Sequence, residues 1–179
     1  MTTLPRSRAL TRDDLDAMPD DGHRYELLDG SLIVTPAPSH RHQRSLVRLV
    51  SILLPLVPDD LEMLFAPFDV ALAADTVLQP DLLIGSRADF TSRDLPVAPL
   101  LAVEVLSPST RRIDLHTKRA RYEAAGCPSY WVVDPDDPAI IAWELRDGQY
   151  AEVARARDTE TFRVTAPFPV EFRPTDLTV

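Results

Sequence analysis

Leu100-Leu101-Ala102-Val103-Glu104-Val105-Leu106 is an apolar run with one acid near its centre. Hydrophobic residues occupy both alternating positions, the pattern of a strand covered on two faces. An ionised carboxylate in such a strand is costly unless a cation or hydrogen-bond donors compensate it. Asp81 has the same setting in Val77-Leu78-Gln79-Pro80-Asp81-Leu82-Leu83-Ile84, which reads as a neighbouring strand. Two ionised acids about 4 Å apart repel by about 4 kcal/mol at an effective dielectric of about 20. A metal ion shared between them would remove that repulsion. The plainer alternative for Glu104 is a pair with a single arginine at a strand end.

The pattern around this pair is mixed α/β. Thr11 offers an N-cap for a short helix over 12–18. Asp29-Gly30 lies between two strand-like runs of a hairpin over 25–34. A helix is expected over 40–54, with Leu46, Val47, Leu49, Val50, Leu53 and Leu54 on one broad face and Arg41, Arg44 and Arg48 along one stripe. Strands follow over 62–73, broken at Pro67, and over 77–84; residues 85–99 read as a polar loop. After Ser107-Pro108-Ser109-Thr110, a helix over 113–125 ends at Gly126 and Pro128. Strands are expected again over 129–134, 139–145 and 150–156, the last pair joined at Asp147-Gly148, before a proline-rich tail with short extended pieces. The expected fold is a single α/β (α+β) domain over 1–179, with residues 1–10 flexible and a strand–helix–strand crossover over 100–134.

Composition narrows the function. The 179 residues carry a net charge of −9, which argues against a general polyanion binder. One cysteine, Cys127, excludes an internal disulfide and a cysteine-based zinc cage. No apolar stretch reaches membrane-spanning length and the first residues lack a secretory core, so a cytoplasmic protein is expected, without a membrane partner. No glycine-rich phosphate loop is present.

Lys118 follows Glu104 by 14 residues, on the helix that leaves its strand, and could fold back toward the acids; Asp114 at i−4 offers it an ordinary surface ion pair instead. Glu26, in the first hairpin strand, is a candidate third carboxylate or an edge-strand surface residue. His40 and His42, at i and i+2, do not share a helix face and read as capping or phosphate-contacting residues.

Pro80-Asp81 followed by Glu104 resembles the PD-(D/E)XK nuclease superfamily. More specifically, the chain resembles the Uma family of restriction-endonuclease-like proteins through Tyr25-Glu26-Leu27-Leu28-Asp29-Gly30, His42-Gln43, Gln79-Pro80-Asp81, Val103-Glu104-Val105-Leu106-Ser107-Pro108-Ser109-Thr110, the spaced Asp114, Lys118 and Tyr122, and Tyr130-Trp131-Val132-Val133-Asp134-Pro135. The superfamily's usual lysine position, two residues after the acid, is Leu106 here, and the resemblance implies that Lys118 replaces it from the helix. It further implies a restriction-endonuclease-like core with a central mixed sheet flanked by helices, and Mg²⁺ or Mn²⁺ on Asp81, Glu104 and the Val105 carbonyl. Glu26 and Lys118 are the remaining implied catalytic residues. DNA is the implied partner, contacted by Arg41, His42, Arg44, Arg48, Arg111 and Arg112, with a homodimer left open. A nuclease-like module that binds without cleaving, and an acid/base glycosidase using Asp81 and Glu104, are the alternatives.

Overall fold

The computed structural model describes residues 8–178. Helix α1 (Arg12–Asp16) begins in a capping box between Thr11 and Asp14, and the hairpin β1 (Arg24–Leu28) and β2 (Ser31–Thr35) follows. Helix α2 (His40–Leu53) is capped by Ser39, whose hydroxyl accepts the His42 backbone N–H at 3.2 Å. Next come β3 (Leu61–Phe65), β4 (Asp69–Ala73), β5 (Thr76–Leu78), β6 (Leu82–Ser86), β7 (Asp94–Leu95) and β8 (Leu101–Val105). A π-helical turn over Ile113–Lys118 runs into α3 (Arg119–Ala124), which Gly126 terminates in a left-handed conformation. The chain closes with β9 (Ser129–Asp134), β10 (Ala139–Arg146), β11 (Gln149–Arg157), β12 (Phe162–Val164) and β13 (Val170–Phe172).

The expected central mixed sheet is six-stranded, ordered β11-β10-β9-β8-β6-β3, with β6 and β8 as antiparallel neighbours and β8 parallel to β9. A second sheet, ordered β2-β1-β5-β4-β7, was not expected. Residues 77–84 were expected as one strand; they split at Gln79-Pro80-Asp81 into β5 and β6, which lie in different sheets. The same division separates β3 from β4 at Pro67. Since β3 pairs with β6 (Phe65 opposite Leu82) and β4 with β5 (Val70 opposite Leu78), residues 61–86 form one long hairpin that changes sheets halfway along both arms. Each arm carries a proline at the change, where the missing N–H cannot continue a ladder. The expected loop over 85–99 is also partly ordered, since Gly85 and Ser86 finish β6 and β7 pairs in parallel with β4.

Alternation along the strands divides the core. Leu101, Val103 and Val105 face α2 with Leu82 and Ile84, against the fully buried Leu49 and Leu53. Ala102 points the opposite way, into a layer with Leu28, Leu78, Tyr122, Tyr130 and Val132 that fills the space between the two sheets and α3. Glu104 has the parity of Ala102, so its carboxylate enters this second layer. The N-terminal segment departs from expectation where it is described: Leu10 is buried and its N–H donates to the Gly30 carbonyl at 2.9 Å, while residues 1–7 lie outside the described region.

Candidate active site

Asp81 follows the proline at the sheet change and lies level with Glu104 on the adjacent strand, as the Leu82–Val103 register requires. Its Oδ2 accepts the Val105 backbone N–H at 2.8 Å and faces His42 Nε2 at 3.0 Å. Its Oδ1 accepts from Arg24 Nη1 at 3.2 Å. Burial opposes ionisation of Asp81, but the His42 hydrogen bond, the charge of Arg24 and the Val105 N–H together hold its pKa below the ordinary value.

Lys118, 2% exposed, is far from the surface pair that its i+4 spacing from Asp114 allowed. Its ammonium lies 3.0 Å from Glu26 Oε1, 3.1 Å from Glu104 Oε1 and 3.7 Å from Asp114 Oδ1. The π turn carries Asp114 and Lys118 inward together, and Tyr130 Oη anchors it by donating to the Asp114 carbonyl at 2.8 Å. Glu26 is on an interior strand of the second sheet, not an edge, and is 1% exposed. It accepts the Gln79 backbone N–H at 2.8 Å and reaches Arg24 Nη2 at 3.4 Å.

The charges do not cancel. Glu26, Asp81, Glu104 and Asp114 face the fixed cations Arg24 and Lys118, leaving two negative charges when all four acids are ionised. The imbalance falls on Glu104, whose pKa is pushed well up by burial, against the pull of Lys118 and reinforced by Asp114, Asp81 and Glu26. Burial also raises Asp114, while Lys118 and Arg24 hold Glu26 down against the same effect. A divalent cation would match the residual charge. The donor set also suits it, since carboxylates on Asp81 and Glu104 with the Val105 carbonyl are hard oxygen ligands. Among the described residues no three His, Cys, Asp or Glu side chains already stand as a ligand cluster. Few protein ligands and several waters is the usual manner of Mg²⁺.

Asp81, Glu104 and Asp114 open into a cleft of about 900 Å³, lined also by Arg24, His42 and Lys118. Arg24 escaped the sequence reading because nothing in its local pattern distinguishes it from a surface arginine. His42 was expected to cap the helix or contact phosphate; it is buried against Asp81, with its Nδ1 unpartnered among the described residues. Of the expected DNA contacts, Arg41 pairs with Asp136 at 3.4 Å and Arg111 with Asp134 at 2.7 Å, while Arg44, Arg48 and Arg112 are exposed. Cys127 is buried and its thiol pKa is pushed up to about 12 by that burial, which suits a packing residue.

Comparison with known proteins returns one family, Uma2, described as "Putative restriction endonuclease", whose profile matches residues 12–179. Among solved structures, a "putative nuclease belonging to DUF820" from Anabaena variabilis superposes with a TM-score of 0.73 at 16% identity, covering 94% of this chain and 97% of that one. At that identity the likeness concerns the fold. No curated protein matches the sequence.

Proposed function

We propose, from the premise that this chain belongs to the Uma2 restriction-endonuclease family, that it is a Mg²⁺-dependent endonuclease hydrolysing phosphodiester bonds in DNA. The observation that carries the reading is the buried acid set, in which Glu26, Asp81, Glu104 and Asp114 surround Arg24 and Lys118 while Asp81 and Glu104 line an open cleft. Asp81, Glu104 and the Val105 carbonyl would hold the ion, which when bound supplies Lewis acidity toward a phosphate and lowers the pKa of a coordinated water. The rest is done by the chain itself. Lys118 presents a fixed ammonium to charge developing on phosphoryl oxygens, held by Glu26 and Glu104 so that no reorganisation is needed at the moment of reaction. His42 and the Val105 N–H orient Asp81 through one oxygen. Arg24 bridges Asp81 and Glu26 and offsets part of their charge in the metal-free protein. Exposed Arg44, Arg48 and Arg112 are available for backbone phosphates, which position a nucleic acid without reading its sequence.

The Arg24–Asp81 contact also favours a second reading, a nuclease fold that binds without cutting, because Arg24 occupies an oxygen that a cation would need. Cleavage of a labelled oligonucleotide with unpaired and paired stretches, in Mg²⁺, Mn²⁺ or EDTA, separates the two. The expected result is metal-dependent cleavage that falls by about 10²-fold or more in Glu104→Gln, in line with the loss of a charge-stabilising group. Equal cleavage in EDTA, or a variant as active as the parent, would remove the assigned mechanism.

A further inference from the structure

The cleft has a second wall that the acid chemistry leaves unused. Phe65 ends the edge strand β3 and is 58% exposed, although it is a large aromatic residue. A single exposed apolar residue needs no explanation in itself; the position of this one does. Its strand partner is Leu82, the residue after Asp81, and the next residue, Ala66, donates its N–H to the Asp81 carbonyl at 3.2 Å. Phe65 therefore stands one strand away from the acid, at the rim of the same cleft. Leu46, Pro38, Ala66, Pro67 and Pro108 add further apolar lining to the cleft.

Among the described residues, Arg24 and Lys118 are the only lysine or arginine residues that line the cleft, and both are paired with carboxylates. Double-helical DNA hides its base faces within the stack and presents phosphates on both rims, which call for basic partners. An unpaired strand has a lower charge density and exposes base faces, on which an aromatic ring can stack without regard to sequence.

We infer that the cleft takes unpaired nucleotides, with Phe65 stacking on a base while the adjoining phosphate reaches the acids. The inference rests on the nuclease reading and names the substrate form within it. Single strands, frayed ends and overhangs fit; a fully paired helix does not enter.

Binding can be measured apart from cleavage, by fluorescence anisotropy of a labelled oligothymidine and of a blunt duplex, in buffer containing EDTA and again with Ca²⁺. The single strand is expected to bind more tightly than the duplex. Phe65→Ala should weaken single-strand binding by about tenfold or more while leaving the duplex unchanged, and Phe65→Trp should restore it. The new indole should also be quenched by the oligonucleotide, an effect to which Trp131 and Trp143 contribute little because both are buried. Unchanged single-strand affinity in Phe65→Ala, or an equal loss for both ligands, overturns the inference while leaving the nuclease reading standing. A change of sedimentation in Phe65→Ala with oligonucleotide affinity intact would instead mark a contact between copies of the chain, and also overturns it. Failure of the parent protein to bind either nucleic acid would overturn both readings.

Discussion

Lys118 is the residue on which the buried charges depend. Its ammonium is within 3.1 Å of Glu26 and Glu104, and their attraction raises its pKa even though burial works in the opposite direction. Removing one partner of a buried ionic set leaves the other charges uncompensated, at a cost of about 3–5 kcal/mol. Lys118→Met should therefore lower unfolding stability by roughly that amount, against at most about 0.5 kcal/mol for an exposed i, i+4 pair. In a Glu104→Gln background the same substitution should cost clearly less, with a coupling of about 1 kcal/mol or more in a double-mutant cycle. Urea denaturation of the four proteins tests this, and additive losses would show that the two side chains do not share their energetics. The sequence made Lys118 a candidate by its distance along the chain from Glu104. It could not supply Arg24 or the burial of His42, because both are defined by partners more than thirty residues away: Asp81 is 57 residues from Arg24 and 39 from His42.

Among the elements, the β1–β2 hairpin positions Glu26, and its turn is held by more than its own conformation. Asp29 and Gly30 have φ of 51° and 69°, as a two-residue turn of the favoured hand requires. Gly30 also donates to the Asp75 carbonyl at 2.8 Å, while Arg121 on α3 reaches Asp29 at 2.6 Å. A Cβ on Gly30 would lie 2.5 Å from the Ala9 Cβ, whereas the equivalent atom on Gly148, with φ of 79°, would meet nothing. Gly30→Ala and Gly148→Ala thus share the cost of a left-handed alanine, about 1 kcal/mol or more, and only the former adds a clash. The expected order of midpoints in thermal unfolding is parent, Gly148→Ala, then Gly30→Ala. Equal losses would show that the N-terminal segment yields freely to the turn.

At the scale of the molecule, the unequal charge balance links stability to pH and to cations. Glu104 and Asp114 have folded-state pKa values above those of an ordinary Glu or Asp, so the native state holds more protons than the unfolded one as pH rises past the ordinary carboxylate range. Their contribution is full below it and is lost as pH climbs through the raised folded values. Glu26 and Asp81, held low, act in the opposite sense: their contribution is full above the ordinary range and is lost on acidification through the folded values. Metal-free protein should therefore be most stable in the mildly acidic range, and Glu104→Gln should flatten the decline on the alkaline side in a Tm–pH profile. A profile that keeps its full alkaline decline in the variant would assign the effect to other groups. If Mg²⁺ binds Asp81 and Glu104 as proposed, it competes with the proton on Glu104, so the rise in Tm it produces should grow with pH and vanish in Asp81→Asn, since stabilisation follows binding to the native state.

The sequence by itself determined the strand carrying Glu104 and the helical segment that follows it, because apolar alternation and capping residues act over a few positions. It also carried the family resemblance, through strings such as Val103-Glu104-Val105-Leu106-Ser107-Pro108. Only the tertiary structure decided that residues 61–86 bend from one sheet into another. A proline announces that a ladder stops but not where the chain pairs next, and that choice depends on which strands are already in place to receive it. The same limit applies to the acids. Local pattern showed that Glu104 and Asp81 were costly to bury, whereas the identity of their compensating partners, Lys118, Arg24 and His42, follows from two sheets and two helices closing on one cleft. Charge compensation depends on distance in space, and spacing along the chain does not fix it.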